Sequence, residues 1–229
     1  MALSKIGLVG CGILGGKIAE NPVTGKEEAC RDSLCGYTSV GPSYLGDFAY
    51  HGLEVWVYDQ NNEVLDSLVV RLKYDKEKLW KDKLMMQTDF VGNVYYMNKL
   101  ERVAKKSKFI FECVNEDLKI KQDVIERISH CCSPDAIIAS STMNLKLDEV
   151  FAKAVHPERC IGVRFLSPVY CIPEVELTLS SVTSNETLTK VQVFLGNMGK
   201  IPYFRTRNEA HLLTNEEKEA RRIGETLVL

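Results

Sequence analysis

The sequence lacks any run of 18 apolar residues, so no segment is predicted to span a bilayer. A formal net charge of −2 gives no electrostatic support for binding nucleic acid or an anionic membrane.

None of the eight cysteines stands in a Cys-x-x-Cys pair, which argues against zinc, and no metal is predicted. The first apolar strand begins by Lys5, which leaves no room for a signal peptide; we therefore expect a cytoplasmic protein with reduced cysteines.

Composition then places the chain in an ordinary structural class. Its 229 residues are 45% hydrophobic and 26% charged, which is enough for one globular domain with a full core.

A glycine-rich turn at the N-terminus carries the first functional signal. A short apolar strand leads into Gly10-Cys11-Gly12-Ile13-Leu14-Gly15, and a helical pattern follows. Gly10 permits the tight bend, Gly12 lets backbone N–H groups approach a pyrophosphate, and Gly15 lets the helix pack near the strand. The turn therefore predicts a dinucleotide-binding site, with a plain glycine-rich turn as the alternative.

The helix after this turn is interrupted. Residues 20–45 contain Asn-Pro, Thr-Gly and Val-Gly-Pro-Ser segments, which are typical of turns and loops. Removing these 26 residues would restore a strand–helix–strand unit of normal length. We interpret residues 20–45 as an insertion and expect a poorly ordered surface loop.

The second strand ends in Asp59, followed by Gln60. A carboxylate at this place accepts hydrogen bonds from ribose hydroxyls and repels a 2′-phosphate, which favours NAD over NADP. Alternatively, Asp59 is only a helix N-cap.

A basic stretch follows within the region 61–104, which is interpreted as a helix and then a broken helical stretch. Six basic and three acidic residues lie between Arg71 and Lys83. This pattern fits a solvated helix face, and the alternative is a surface for the phosphates of a CoA-type substrate.

Apolar runs predict the remaining strands. They occur at residues 108–114, 136–139, 160–165, 175–179 and 201–204. Helical patterns separate several of them, so we predict a Rossmann-type, doubly wound α/β fold with a mainly parallel sheet and helices on both faces. Residues 1–204 would form this single domain, and residues 205–229 a charged helical tail.

The order of these motifs resembles the NAD-binding domain of the L-3-hydroxyacyl-CoA dehydrogenases. The matching segments are Gly10-x-Gly12-x-x-Gly15, Asp59, Phe111-Glu112-Cys113-Val114-Asn115-Glu116-Asp117-Leu118-Lys119, Ala139-Ser140-Ser141-Thr142, Gly162-Val163-Arg164-Phe165-Leu166-Ser167-Pro168, Glu176 and Gly199-Lys200. The resemblance implies an NAD cofactor, fatty-acid metabolism, an acyl-CoA or small hydroxy-acid substrate and a homodimer. It implies cofactor contacts at Gly10, Gly12, Ile13, Leu14, Gly15, Asp59, Gln60, Val114, Asn115, Glu116 and Lys121.

The sequence departs from the family at the catalytic base. In the family, a histidine oriented by a glutamate takes the proton from the substrate hydroxyl. Arg164 stands at the histidine position, whereas Glu176 keeps the glutamate position. Because arginine stays protonated, it cannot act as a general base. Arg164 is instead predicted to pair with Glu176 or to clamp an anionic group.

Two further departures bear on the substrate. In the family's Asn-Thr-Ser motif, Ser141 stands at the asparagine position and Met143 at the serine position. Only 25 residues follow Phe204, without the Asp-x-Pro-Gly-Phe segment that announces the family's helical domain, so we expect an incomplete two-domain substrate site. The four histidines are interpreted as surface or capping residues: His51, His130, His156 and His211.

Three functions stay open from the sequence. The first is an NAD-binding member of the family with impaired or lost dehydrogenase activity. The second is an active NAD-dependent oxidoreductase on another hydroxy compound, with Glu176, Arg164 and Ser141 in its catalytic site. The third is a partner-binding scaffold that no longer binds nucleotide.

Overall fold

An eight-stranded sheet forms the centre of the molecule. The computed structural model describes residues 5–10, 41–81, 92–167, 169–205 and 213–222. The strands are β1 (Lys5–Val9), β2 (Glu54–Tyr58), β3 (Val94–Met97), β4 (Phe109–Glu112), β5 (Ile137–Ser140), β6 (Cys160–Phe165), β7 (Glu174–Thr178) and β8 (Ile201–Phe204). Their order across the sheet is β3-β2-β1-β4-β5-β6-β7-β8, and every neighbouring pair is parallel except β6–β7. The first six strands in this order have the doubly wound Rossmann arrangement.

Helices connect the strands and cover both faces of the sheet. They are α1 (Gly41–Tyr50), α2 (Asn62–Lys81), α3 (Leu100–Lys106), α4 (Leu118–Cys131), α5 (Leu147–Val150), α6 (Asn185–Asn197) and α7 (Asn215–Arg222), with a 3₁₀ turn at Pro157–Arg159. Side chains of α1, α2 and α6 pack on one face, with Phe48 and Phe194 at its centre. Side chains of α3, α4 and α5 pack on the other, around Ile125 and Val150. The predicted fold class is confirmed. Within the described ranges, no helix has the length and apolar character needed to cross a membrane.

The start of α1 corrects the predicted insertion boundary. The helix begins at Gly41, so the last five residues of the segment interpreted as a loop are helical. A proline is tolerated in the first turn of a helix, so Pro42 does not prevent this start. Tyr44 and Leu45 are fully buried in the core, which supplies the packing that stabilises the turn. The remainder of the proposed insertion, residues 20–40, lies outside the described residues.

Strand β3 is a second correction, because residues 94–97 were assigned to a broken helical stretch. Its sequence, Val-Tyr-Tyr-Met, is β-branched and aromatic, which suits a strand. Among the described strands, β2 alone pairs with it, and β3 lies at the edge of the sheet. Tyr95 stacks on Trp56 of that neighbour with ring centroids 4.4 Å apart. All four residues are apolar or aromatic, so the sequence shows no polar–apolar alternation by which the strand could be recognised, and this cross-strand contact helps to stabilise it.

Candidate functional site

The carboxyl ends of β1, β2, β4 and β5 lie side by side. The edge of the sheet that these strand ends form is the candidate site, and Gly10 lies on it directly after β1. Gly10 has a φ of +86°, and its N–H donates to the Tyr58 carbonyl over 2.9 Å. A Cβ atom here would lie 2.6 Å from Val114 Cγ1 and 2.8 Å from the Val114 nitrogen. Glycine is therefore required both by the backbone conformation and by the close approach of the chain after β4.

Asp59 lies directly after β2 and is largely buried. Its Oδ1 accepts the Asn61 N–H at 2.9 Å, while the Asn61 side chain accepts the Glu63 N–H at 2.9 Å. The first turn of α2 is thus capped by Asn61, and the alternative interpretation of Asp59 as that cap does not hold. Gln60 is exposed beside it. This placement suits the predicted contact with a ribose, which stays a prediction.

A buried glutamate organises the ends of β4 and β5. Glu112 is fully buried, and its Oε1 accepts the Val114 N–H at 2.7 Å. Its Oε2 accepts the Ser140 hydroxyl at 2.6 Å. Lys121 from α4 donates to Glu112 Oε1 at 2.9 Å. A charged residue inside an otherwise apolar strand is a sequence signal for such a network, although Glu112 was not predicted as a site residue.

Lys121 was predicted to contact the cofactor, and its ammonium group is buried against protein atoms. Besides Glu112, it donates to the Val114 carbonyl at 3.1 Å and lies 3.6 Å from Glu116 Oε2. Lys121 therefore fixes the backbone after β4. That segment includes the exposed Asn115, and the predicted cofactor contacts of Lys121 and Asn115 stay predictions.

Glu116 joins this segment to the turn after β5. Its Oε1 accepts the Thr142 hydroxyl at 2.6 Å and the N–H groups of Met143 and Asn144 at 2.7 and 2.8 Å. Burial alone would raise the pKa of Glu116, but these donors and the Lys121 ammonium outweigh it and hold the pKa below its usual value. Glu116 is therefore an ionised carboxylate at neutral pH.

Ser141 lies directly after β5. It is nearly buried, and its N–H donates to the Glu112 carbonyl at 3.0 Å. Burial, with Glu112 beside it, raises the pKa of the Cys113 thiol to about 12, so this cysteine is a neutral thiol.

Arg164 and Glu176 form the ion pair that the sequence predicted. The two residues lie opposite each other across β6 and β7. Arg164 Nη2 donates to Glu176 Oε2 at 2.7 Å, and Arg164 Nε donates to Oε1 at 3.3 Å. Burial would raise the pKa of Glu176, but hydrogen bonds and charge from Arg164 and Arg205 together lower it below its usual value. The carboxylate at the family's orienting position is thus ionised and engaged by guanidinium groups.

Two residues at this cluster were missed by sequence reasoning. Arg205 donates from Nε to Glu176 Oε1 at 2.7 Å and from Nη1 to the Met143 carbonyl at 2.9 Å. The Tyr203 hydroxyl donates to Glu176 Oε2 at 3.4 Å. Their spacing of two residues at the last strand was the available signal, since it places both side chains on one face of β8.

The histidines within the described residues contact groups other than the clusters around Glu112 and Glu176. His51 is 3.7 Å from Asp47, His130 is bonded to the Glu126 carbonyl over 2.8 Å, and His156 is exposed beside Glu158. Four predicted cofactor contacts, Gly12, Ile13, Leu14 and Gly15, lie outside the described residues, as does His211. No group of three or more His, Cys, Asp or Glu side chains that could hold a metal occurs in the part of the chain that the structure describes.

Fold and site together define a Rossmann-type dinucleotide-binding domain. The described residues fit such a ligand: Gly10 lets the ends of β1 and β4 approach closely, and the Asp59 carboxylate lies after β2. Residues 34–206 match the family described as 3-hydroxyacyl-CoA dehydrogenase, NAD binding domain. The chain belongs to this family, whose cofactor is NAD.

Individual relatives agree with this membership. The chain is 29% identical over 163 residues to an L-carnitine dehydrogenase of Pseudomonas putida, covering 71% of this chain and 50% of the relative. It is 28% identical over 171 residues to a probable 3-hydroxybutyryl-CoA dehydrogenase of Bacillus subtilis, covering 73% and 59%. The chain thus spans between half and three fifths of the length of these two relatives.

A solved structure supports the fold. The crystal structure of (S)-3-hydroxybutyryl-CoA dehydrogenase from Ralstonia eutropha superposes with a TM-score of 0.71 at 20% identity, covering 89% of this chain and 63% of that chain.

Proposed function

We propose that this chain binds NAD at the edge of the sheet defined by Gly10, Asp59 and Val114 and has impaired or lost 3-hydroxyacyl-CoA dehydrogenase activity. The observation that carries the proposal is the bidentate contact of Arg164 with Glu176, at 2.7 and 3.3 Å. Bound NAD supplies the hydride acceptor in this family. The protein must supply the base, and a guanidinium paired with a carboxylate cannot take a proton.

The expected loss of rate is large. Removing a positioned general base typically costs about a hundred- to ten-thousand-fold. In addition, Met143 offers a thioether where the resemblance places a hydroxyl that donates to the substrate carbonyl. Its backbone is already used, since the N–H donates to Glu116 and the carbonyl accepts from Arg205.

The cofactor half of the proposal is tested by titrating the purified protein with NADH and following nicotinamide fluorescence. We expect micromolar binding that weakens in Asp59→Ala, because the carboxylate after β2 would no longer accept ribose hydrogen bonds. Asp66→Ala, on the outer part of α2, is the control and should leave binding unchanged. Absence of binding at millimolar NADH would favour the partner-binding scaffold.

The catalytic half is tested with a 3-hydroxyacyl-CoA and NAD. We expect turnover at least a hundredfold below that of a family member with the histidine. Turnover at family rates that falls in Glu176→Ala would contradict the proposal.

One observation favours a second function, an active oxidoreductase on a hydroxy acid. Two guanidinium groups, from Arg164 and Arg205, converge on Glu176. Guanidinium groups pair well with carboxylates, so a substrate carboxylate could bind here while another group carries the proton. Screening small hydroxy acids with NAD, with Arg164→Gln as the variant, separates this function from the first.

Location and assembly belong to the same proposal. Cys113, Cys131, Cys132 and Cys160 form no disulfide, and we propose that the protein acts in the cytoplasm, where thiols stay reduced. A homodimer is the assembly that the family resemblance implies, and sedimentation velocity of the purified chain tests it.

A further inference from the structure

Arg205 reaches Glu176 because of the pairing of the last two strands. Tyr203 lies opposite Glu176 in the parallel pair β7–β8, and the Arg205 N–H continues this ladder to the Leu177 carbonyl at 3.0 Å. Successive strand residues point to opposite faces, so Tyr203 and Arg205 share a face. Both side chains therefore approach the same carboxylate.

The two arginines divide the oxygens of Glu176 between them. Arg164 makes its shorter contact, 2.7 Å, with Oε2, whereas Arg205 Nε makes a 2.7 Å contact with Oε1. The Glu176 side chain is only 1% exposed and that of Arg205 only 13%, so water screens these contacts weakly. Oε1, which Arg164 Nε reaches only at 3.3 Å, is thus held mainly by Arg205.

Other contacts hold Arg205 in this position. Its Nη1 donates to the Met143 carbonyl at 2.9 Å, and the Met143 N–H is bound in turn to Glu116. Further along the chain, Leu213 is buried against Leu166 and the partly buried Tyr203. These contacts hold the Arg205 guanidinium next to Glu176, and Leu213 packs against the neighbouring Tyr203.

We propose that Arg205 is a positioning residue that engages Glu176 in competition with residue 164, so that restoring a histidine at 164 would not by itself restore an oriented base. A histidine base needs a carboxylate that accepts its second ring N–H and stabilises the imidazolium. Here that carboxylate is shared with a second cation. This inference rests on the proposed function, since it names a second obstacle to the family's chemistry.

The test measures the introduced imidazole directly and needs no turnover. We would compare Arg164→His with Arg164→His/Arg205→Gln by NMR titration of histidine ring signals; the chain has only four other histidines, so the new signal is assignable. Removing a cation close to both groups should raise the pKa of the imidazole by about one unit. Arg164→His/Arg205→Lys, which keeps the charge, should stay close to the single variant.

Neighbouring groups do not interfere with this titration. Tyr203 and Tyr44 also face Glu176; burial raises the pKa of Tyr203 to about 12 and raises that of Tyr44 as well, so both stay neutral. The matched control is Arg164→His/Arg127→Gln. Arg127 is an exposed guanidinium paired with Glu101 at 3.0 Å, and its removal should leave the imidazole pKa unchanged.

Equal imidazole pKa values with and without Arg205 would overturn the inference. If Arg164→His does not fold, Arg205→Gln in the natural sequence provides a second test of the same inference. Loss of the Arg205 charge should raise the pKa of Glu176, followed by the ¹³C signal of its carboxyl group, and an unchanged value would again overturn the inference. Turnover of the natural chain at family rates would contradict the proposed function. The titrations test only the role of Arg205.

Discussion

Replacing Lys121 with methionine tests whether the buried network after β4 holds the cofactor edge together. Lys121 and Glu112 are both completely buried, with Nζ 2.9 Å from Oε1. Methionine keeps much of the side-chain volume but leaves the Glu112 carboxylate without its cation. Removing one partner of a buried ion pair typically costs about 3–5 kcal/mol. For a domain of this size, that loss corresponds to a decrease in Tm of roughly 6–20 °C.

The assay is urea unfolding at neutral pH followed by circular dichroism, with calorimetry for Tm. The control is Lys153→Met, because Lys153 lies 3.9 Å from Glu126 with both side chains about half exposed. Exposed pairs contribute about 0–1 kcal/mol, so the control should be nearly neutral. The double variant Glu112→Gln/Lys121→Met should cost less than the sum of its single changes, because no buried charge is left alone. A Lys121→Met loss no larger than that of the control would refute the reasoning.

Two further predictions concern the same edge of the sheet. Gly10→Ala should destabilise the protein by about 1–3 kcal/mol more than Gly199→Ala, which is the typical cost of forcing extra atoms into a packed site, and should weaken NADH binding, as urea unfolding and NADH titration would show. Both glycines have positive φ, but only at Gly10 would a Cβ meet Val114, while nothing lies within 4 Å at Gly199, so equal losses would contradict the close approach. Glu176→Gln should lower stability at neutral pH and weaken its decline on acidification. The pKa of Glu176 is lowered in the folded state, so its contribution is complete above its unfolded pKa and is lost as pH falls through the folded value. Unfolding free energies measured from about pH 7 to about pH 3 check this, and parallel curves for the two proteins would contradict it.

The sequence predicted the features that are indicated by a pattern in their own residues, such as an apolar run or a pair of opposite charges. Strands Cys160–Phe165 and Ile201–Phe204 are where the apolar runs placed them. The Arg164–Glu176 pair was also predictable, because the resemblance places both positions at one site and their charges are opposite. In each case, local sequence and burial indicate the same structure.

Other features depend on partners that are distant in the sequence. The helical start of α1 requires Tyr44, whose hydroxyl accepts the Phe165 N–H at 2.9 Å across 121 residues. Arg205 meets Glu176 only once β8 is paired with β7 in the observed register. No local pattern contains that register, which explains why a charged residue at the start of a predicted tail was not recognised as part of the site.

The framework tolerates a different side chain at position 143 because it uses only the backbone of that residue. Met143 contributes its N–H to Glu116 and its carbonyl to Arg205, so its side chain is not needed for either contact. Through these bonds, the segment after β4 is connected to Glu176 on β7. A change of side chain at 143 therefore leaves the connection intact, whereas loss of Glu116 or Arg205 would break it.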